Sequence, residues 1–222
     1  MWLEEHTKLL ETGKSRLESV EVSTNLLLNM LNIKETPQAV QLLGILSLLP
    51  DSLLDWESRL SHIAPLLENV FHLARLLFRT ALVQVEENRN RLRVLSPICH
   101  FVLSHHALCD VHVEKLKEYF WDLVSRYTET PFGLDFEGAK EVLTPEMGNI
   151  TALILHALET HPVQSMHTTL SMLTFLCHTA QSIQLSDKAK VVLTQIILPW
   201  QRAQCLQMLG DTLRMQSKNE ED

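Results

Sequence analysis

The chain has 222 residues, 45% of them hydrophobic, and only 6 glycines and 8 prolines, so it can bury a sizeable core in one or two compact units. Its formal net charge of -8 argues against a nucleic-acid footprint, because phosphate binding needs a clustered excess of lysine and arginine. The acidic N-terminus does not fit a secretory signal, and the longest apolar stretch, near residues 39–49, is too short to span a bilayer. The 4 cysteines lie in apolar, helix-patterned segments, which favours reduced thiols in a cytoplasmic protein over a disulfide framework.

Helical periodicity dominates the first third of the chain, and Gly13 provides a natural stop between the first two predicted helices. The third helix is nearly all apolar, and its polar or small positions, Gln41, Gly44 and Ser47, lie three residues apart on one strip. Such a helix must be buried on most sides, and we expect Gly44 and Ser47 to let a neighbouring element approach closely. The helices predicted before the centre of the chain cover residues 2–12, 20–31, 37–49, 53–60 and 68–80.

A period of two then replaces the helical pattern. Apolar and polar residues alternate in two short runs, at 83–86 and 91–94, with a polar connection between them, which predicts a two-stranded hairpin. Ser96 and Pro97 open the next helix, because serine can cap free amides and a proline in the first turn loses no hydrogen bond. Three helices, a hairpin and a capped helix, in this order, predict a winged helix.

The second half of the chain is predicted to consist of stacked helical hairpins. A strongly amphipathic helix covers residues 111–127, with apolar residues at steps of three and four, and a loop rich in turn formers follows over 128–138. The remaining predicted features are a cap at Thr144 followed by Pro145, a helix with residues 150, 153, 154, 157 and 158 inward, a helix over 163–181, a break at 185–187 and a helix ending at Leu198.

The last predicted helix matches part of a known repeat pattern. Leu206, Leu209, Gly210 and Leu213 fit the first-helix template W-x2-L-G-x2-Y of tetratricopeptide repeats, with leucine at both aromatic positions. Gly210 would let the partner helix of such a repeat approach closely. A full repeat needs about 34 residues, so only half of one is present, and we expect the sequence to be a fragment or a truncated gene product.

No motif predicts a catalytic centre. Gly13-Lys14-Ser15 is similar to the end of a phosphate-binding loop, but the motif GxxxxGK[ST] needs a glycine where Lys8 stands, and the residues before it are helical. A group of potential zinc ligands lacks a C-x-x-C pair and projects from different helix faces, which favours core and surface roles. This group comprises Cys99, His100, His105, His106, Cys109 and His112. We expect no enzyme activity and no metal site.

Two binding roles remain open. A winged helix commonly reads DNA with its third helix, but here the arginines of that helix and of the hairpin are offset by glutamates, which favours protein packing. The residues concerned are Glu68, Asn69, His72, Arg75 and Arg79 on the helix, and Arg89, Arg91 and Arg93 on the hairpin. Ser96 is either a helix cap alone or, with the amides of Ile98 and Cys99, a set of donors for an anionic phosphate on a docked neighbour.

Several segments occur in an order that is typical of one protein family. They are Trp2 with Thr7-Lys8-Leu9-Leu10, Val20-Glu21-Val22-Ser23, the run from Leu42 to Glu57, the run from Arg91 to Val102, Glu146 with Asn149-Ile150, and a start of a repeat from Gln204 to Met215. In this order they resemble the arm of NB-ARC nucleotide switches (STAND-class NTPases), in the form that carries tetratricopeptide repeats in fungi.

The resemblance implies that a nucleotide-binding domain with a phosphate loop precedes these residues, and that the winged helix closes over bound ADP. A histidine in a Met-His-Asp motif usually contacts the terminal phosphate of the ADP in this family. The triplet here is Leu95-Ser96-Pro97, so Ser96 holds the sensor position, and serine keeps a hydrogen-bond donor but lacks the charge of an imidazolium. Family members also place a proline close to adenine, and Pro50 matches that position.

The resemblance therefore implies a non-catalytic regulatory arm with no cofactor of its own, which uses ADP or ATP only together with the upstream domain. Expected partners are that domain and proteins, or further copies, bound through helical repeats, with no nucleic acid and no membrane, in the cytoplasm. The alternatives are a winged-helix DNA-binding regulator and a plain helical scaffold. The implied segments are residues 1–35 from the end of the nucleotide-binding region, 36–110 as the winged helix, 111–198 as helical hairpins and 199–222 as the start of a truncated repeat.

Overall fold

The computed structural model describes residues 36–86, 90–128, 134–176 and 183–193 without a break, and separate positions within 22–28 and 199–214. This part of the chain is mainly helical with one small antiparallel sheet, which confirms the prediction of a mainly α protein with a β-hairpin. The chain forms two compact units, Met1–Leu116 and Lys117–Asp222. The helix predicted over 2–12 and the stop at Gly13 lie outside the described residues, whereas helical positions within 22–28 fall inside the helix predicted over 20–31.

The first unit contains the elements expected of a winged helix. In chain order these are α1 (Pro37–Ser47), β1 (Leu53–Leu54), α2 (Trp56–Ile63), α3 (Val70–Arg79), β2 (Val83–Glu86), β3 (Arg91–Val94) and α4 (Ser96–His105), and α5 (Asp110–Thr128) begins here. The sheet has the strand order β1-β3-β2. The buried side chains of α1 pack against α3 and α4, so an apolar helix lies at the centre of the unit, as its sequence predicts.

The hairpin is confirmed at the predicted residues. Strands β2 and β3 pair antiparallel, with Val83 opposite Val94 and Val85 opposite Leu92. Because side chains alternate between the two faces of a strand, Leu92 and Val94 are buried and the intervening Arg93 is exposed. In β3 the predicted period of two is therefore the actual period of burial, whereas in β2 Val83 is buried and Val85 is only half-buried.

The first strand, β1, is a correction to the sequence analysis, which predicted a helix beginning at Leu53. Leu53 and Leu54 pair instead with Leu92 and Arg91, and the helix begins at Trp56. Ser52 and Asp55, on either side of the strand, adopt left-handed conformations with φ of 64° and 47°. Two residues are too few to show a period, so the strand could not be distinguished from the start of a helix.

Left-handed residues recur at the reversals of this unit. Among the described residues they are, besides Ser52 and Asp55, Asn69 before α3, Ala81 before β2 and Asn90 before β3, and none of these five is glycine. Asparagine and aspartate tolerate this conformation better than other residues, because their side chains can hydrogen-bond to the nearby backbone.

Two members of the strip on α1, Gln41 and Gly44, face the loop between α4 and α5. The Gln41 side chain donates from Nε2 to the carbonyl of Ala107 at 3.2 Å and accepts at Oε1 from the amide of Cys109 at 3.0 Å. Between these contacts, the Leu108 side chain fills the notch at Gly44, where a Cβ atom would lie 2.8 Å from Leu108 Cδ2. The close approach predicted at Gly44 is confirmed.

Replacing Gly44 with alanine should lower the free energy of unfolding by about 1 kcal/mol, because the added methyl group displaces the Leu108 side chain. In a Leu108→Ala background the same change should raise it by about 0.5–1 kcal/mol, because alanine is the better helix former once the notch is empty. Urea denaturation of the four variants, followed by circular dichroism, measures this change of sign. An equal effect of Gly44→Ala in both backgrounds would contradict the contact.

The second unit is helical throughout its described part. After the end of α5, its elements are α6 (Leu134–Leu143), a 3-10 turn (Thr144–Glu146), α7 (Met147–Thr160), α8 (Pro162–Leu176) and α9 (Ile183–Leu193). Helices α7, α8 and α9 all pack against one another. The inward positions predicted for α7 are confirmed as buried: Ile150, Leu153, Ile154, Ala157 and Leu158.

Three predictions for this unit are wrong. The predicted loop over 128–138 overlaps α6, because Gly138, taken as a loop residue, lies within the helix, and no described atom lies within 4 Å of the position that its Cβ would take. Thr144 does not cap a helix, since the 3-10 turn joins α6 directly to α7 and leaves no free helix start. The predicted break at 185–187 lies inside α9.

The half repeat predicted near the C-terminus is described only in part. Leu206 and Gly210 are helical and exposed, whereas Leu209 and Leu213 lie outside the described residues. No described atom lies within 4 Å of the position that a Cβ atom would take at Gly210, and most of the residues around Gly210 lie outside the described part of the chain. Among the described helices, none is both long and apolar enough to cross a membrane.

A buried polar pair marks the start of α7. Glu146 and Asn149 are both 0% exposed, and Asn149 Nδ2 donates to Glu146 Oε2 at 2.7 Å. The same residues belong to the helix start that carries part of the family resemblance. This hydrogen bond joins the two side chains in a buried position, which makes the pair a structural element of the second unit.

Candidate functional site on the winged helix

The predicted sensor residue, Ser96, is the first residue of α4 and is exposed. It is not the cap that the sequence analysis predicted, because the capping position is held by Leu95, which continues the extended conformation of β3 with ψ of 139°. Pro97 lies in the first turn, as predicted. Within the described residues the Ser96 hydroxyl forms no hydrogen bond, so this donor faces solvent at the start of the helix.

The set of donors expected around Ser96 is smaller than predicted. The amide of Cys99 donates to the Leu95 carbonyl at 2.9 Å, so it cannot also bind an anion. The Cys99 thiol is half-buried and lies 3.6 Å from the Val94 carbonyl, and burial raises the pKa of the Cys99 thiol. A phosphate at this helix start would therefore meet the Ser96 hydroxyl as its principal side-chain donor.

Pro50, the other residue that the resemblance places near a nucleotide, is exposed in the turn after α1. The next residue, Asp51, accepts a hydrogen bond at its carbonyl from Arg91 Nη1, which ties this turn to β3. No hydrogen bond joins Pro50 to Ser96 in the part of the chain that the structure describes. The two residues lie on separate turns of the same unit.

The arginines of the hairpin have partners within the unit. Arg91 holds the Asp51 carbonyl, and Arg93 forms a salt bridge with Glu86 at 3.3 Å across the two strands. Arg89 lies outside the described residues. In a DNA-binding wing such arginines would contact phosphates. Here Arg91 and Arg93 connect β3 to the turn at Asp51 and to β2.

The outward face of α3 presents a different combination of groups. Phe71 and Phe78 are 39% and 53% exposed, and the arginines beside them, Arg75 and Arg79, are exposed as well. The Phe71 ring lies 6.4 Å from the Trp56 ring of α2. The two arginines were predicted on this face from the sequence, whereas the phenylalanines were not, although their spacing of seven places them on one helix face with Arg75. Glu68 and Asn69, also predicted on this helix, precede its first residue.

At the end of α4, two histidines of the predicted cysteine and histidine group, His105 and His106, pack against the Phe101 ring. His105 stacks on Phe101 with ring centroids 4.4 Å apart, and its Nδ1 lies 2.9 Å from the Phe101 carbonyl. Burial lowers the pKa of His106, and the neighbouring His105 lowers it further. Among the described residues, no three histidine, cysteine, aspartate or glutamate side chains converge as metal ligands.

Comparisons with protein-family models, with curated proteins and with solved structures gave no match to the chain. The features from which a function can be argued are therefore the exposed start of α4 and the outward face of α3. The first displays a serine hydroxyl at a helix N-terminus, and the second displays two phenylalanines beside two arginines.

Proposed function

We propose that this chain is a non-catalytic regulatory arm of a nucleotide-dependent switch, in which the winged helix docks on a nucleotide-binding domain and closes over bound ADP. The observation that carries the proposal is the hairpin followed directly by α4, with Ser96 exposed at the first position of the helix. This is the place where the family resemblance requires a group that contacts a phosphate. A helix N-terminus also carries partial positive charge, which favours a bound anion.

The chemistry of Ser96 defines how strong this contact is. A serine hydroxyl donates one hydrogen bond, whereas a protonated histidine adds a full charge. A neutral hydrogen bond contributes about 0.5–1.5 kcal/mol, so the Ser96 contact stabilises the closed, ADP-bound arrangement only weakly. Binding of an activating partner or exchange of the nucleotide then needs little differential free energy to shift the population toward an open arrangement.

The compartment proposed for this switch is the cytoplasm. Cys99 and Cys109 are free thiols, one of them exposed, which is typical of proteins kept in a reducing environment. Nucleotide exchange between ADP and ATP also takes place where both nucleotides are abundant.

The chain alone should not bind ADP, because the phosphate loop that the proposal requires belongs to another domain. Isothermal titration of the purified chain with ADP should show no binding at micromolar concentrations. Micromolar binding of ADP by the chain alone would refute the proposal that another domain supplies the phosphate loop. The coding sequence upstream of Met1 should encode a GxxxxGK[ST] motif, and its absence there would count equally against the proposal.

In the protein that includes that domain, Ser96→Ala should speed ADP release by up to about tenfold, as expected for the loss of one neutral hydrogen bond. The matched control is Ser104→Ala, an exposed serine near the other end of α4. Release of a fluorescent ADP analogue measures both rates. If Ser96→Ala and Ser104→Ala release ADP at the same rate, Ser96 is not the phosphate contact.

A further inference from the structure

The outward face of α3 carries an arrangement that the proposed switch does not use. We call Phe71, Arg75, Phe78 and Arg79 the α3 strip. At 100° per residue, the two phenylalanines lie on one line of the helix and the two arginines lie beside it. The opposite face, with Val70, Leu73 and Leu77, is buried in the unit. The strip is therefore an aromatic line flanked by positive charge on a firmly anchored helix.

The two arginines of the strip have no partner within the described residues. Neither guanidinium takes part in an ion pair or a side-chain hydrogen bond there. Every other described arginine or lysine between residues 36 and 116 makes an interaction within the chain: Arg59, Arg91, Arg93 and Lys115. In a chain with a net charge of -8, two adjacent cations without a counter-charge mark a site of complementary, acidic chemistry.

We propose that the α3 strip binds an amphipathic helical segment of a partner protein that carries acidic side chains beside bulky apolar ones. Its apolar side chains would cover Phe71 and Phe78, and its carboxylates would pair with Arg75 and Arg79. Exposed aromatic and arginine side chains are the residue types that dominate protein interfaces. A helical segment fits because its own apolar positions recur at steps of three, four and seven, which is the spacing of the strip.

The same face is less suited to duplex DNA. Duplex binding by a winged helix depends on several phosphate contacts from the recognition helix and the wing. Arg91 and Arg93 of the wing already have partners, the Asp51 carbonyl and Glu86, so among the described residues of these elements only the strip arginines have none. Phe78, 53% exposed, would also meet a polar, hydrated groove instead of an apolar surface.

The test uses the full chain and a fluorescein-labelled peptide that forms an amphipathic helix, with leucines at i, i+3, i+4 and i+7 and glutamates on both flanks. Fluorescence anisotropy should show saturable binding. The variant R75E/R79E should weaken it by about tenfold or more, and Phe78→Ala by about threefold or more. A charge-matched control, K140E/K190E, alters two exposed lysines of the second unit and should leave the affinity unchanged.

Two further probes decide the chemistry of the partner. A peptide with lysine in place of every glutamate should not bind, and a labelled DNA duplex at low salt should not bind either. Equal binding of both peptides, retention of the peptide by R75E/R79E, or preferential binding of the duplex would each overturn the proposal. Thermal melts of R75E/R79E and of the milder R75Q/R79Q identify any loss of folding. If R75Q/R79Q is folded and binds the peptide like the original chain, the proposal is also overturned. These outcomes are independent of ADP binding, so this proposal and the proposed switch can fail separately.

Discussion

Replacing Leu92 with alanine is expected to lower the free energy of unfolding by about 3–4 kcal/mol, in the range observed for buried leucines. Leu92 is 1% exposed and lies on the central strand of the sheet, opposite Leu53 on one side and Val85 on the other. Truncation therefore leaves a cavity against both neighbouring strands at once. Urea denaturation followed by circular dichroism measures the loss.

The matched control for Leu92→Ala is the next residue of the same strand. Arg93 points to the exposed face and pairs with Glu86, and both side chains are more than one third exposed. Arg93→Ala should therefore cost less than about 1 kcal/mol, as is usual for surface ion pairs. Similar losses for the two variants would mean that residues 91–94 do not alternate between core and solvent, and the hairpin on which the winged helix depends would be absent.

Replacing Asn149 with leucine is expected to cost about 3 kcal/mol. Asn149 Nδ2 donates to Glu146 Oε2 at 2.7 Å in a fully buried position, so the substitution removes a donor from a buried carboxyl group. The loss of a hydrogen bond to a buried carboxyl group costs about 1–3 kcal/mol. Chemical denaturation of the chain measures the change.

A double-mutant cycle separates this pair from general overpacking. In the background Glu146→Gln the group left behind is a neutral amide, which is easier to bury than a carboxylate. Asn149→Leu should therefore cost at least about 1 kcal/mol less in that background, which is a coupling typical of residues in contact. Strictly additive effects would indicate that the loss comes from the shape of leucine and not from the hydrogen bond.

The sequence predicted those elements whose burial follows a regular period. The hairpin was visible because Val83, Val85, Leu92 and Val94 alternate with polar residues, and α7 was visible because its inward residues recur at helical steps. The notch at Gly44 was also predictable, since a glycine on an otherwise apolar helix indicates close packing. These are properties that local chemistry and periodicity determine.

What the sequence could not predict depends on tertiary context. Strand β1 consists of two residues, so it exists only because β3 offers hydrogen-bonding partners. Thr144 and Ser96 have capping side chains, but helical or extended backbone on their N-terminal side assigns the capping position to other residues. In each case the conformation or pairing of the neighbouring backbone outweighs the local structural preference of the residue.

The candidate site was predictable to a similar extent. Ser96 was expected at the start of a helix and is found there, but the hydrogen bond of the Cys99 amide could be seen only in the structure. On α3 the positive charge of the arginines indicated a possible DNA contact. Charge gives no indication of the phenylalanines that lie beside them on the same helix. Exposure, which only the structure supplies, distinguishes Phe71 and Phe78 from the core phenylalanines.

The left-handed residues of the first unit have a thermodynamic consequence. Holding an L-residue in this conformation costs roughly 1–2 kcal/mol, and less for asparagine or aspartate. Ala81, between α3 and β2, has no side-chain group to offset that cost, with φ of 56°. The neighbouring Leu82, 0% exposed, holds the reversal in place by its burial. The burial of Leu82 thus offsets the backbone strain at Ala81, so α3 and the hairpin of β2 and β3 should loosen together when the apolar interior of the unit is weakened.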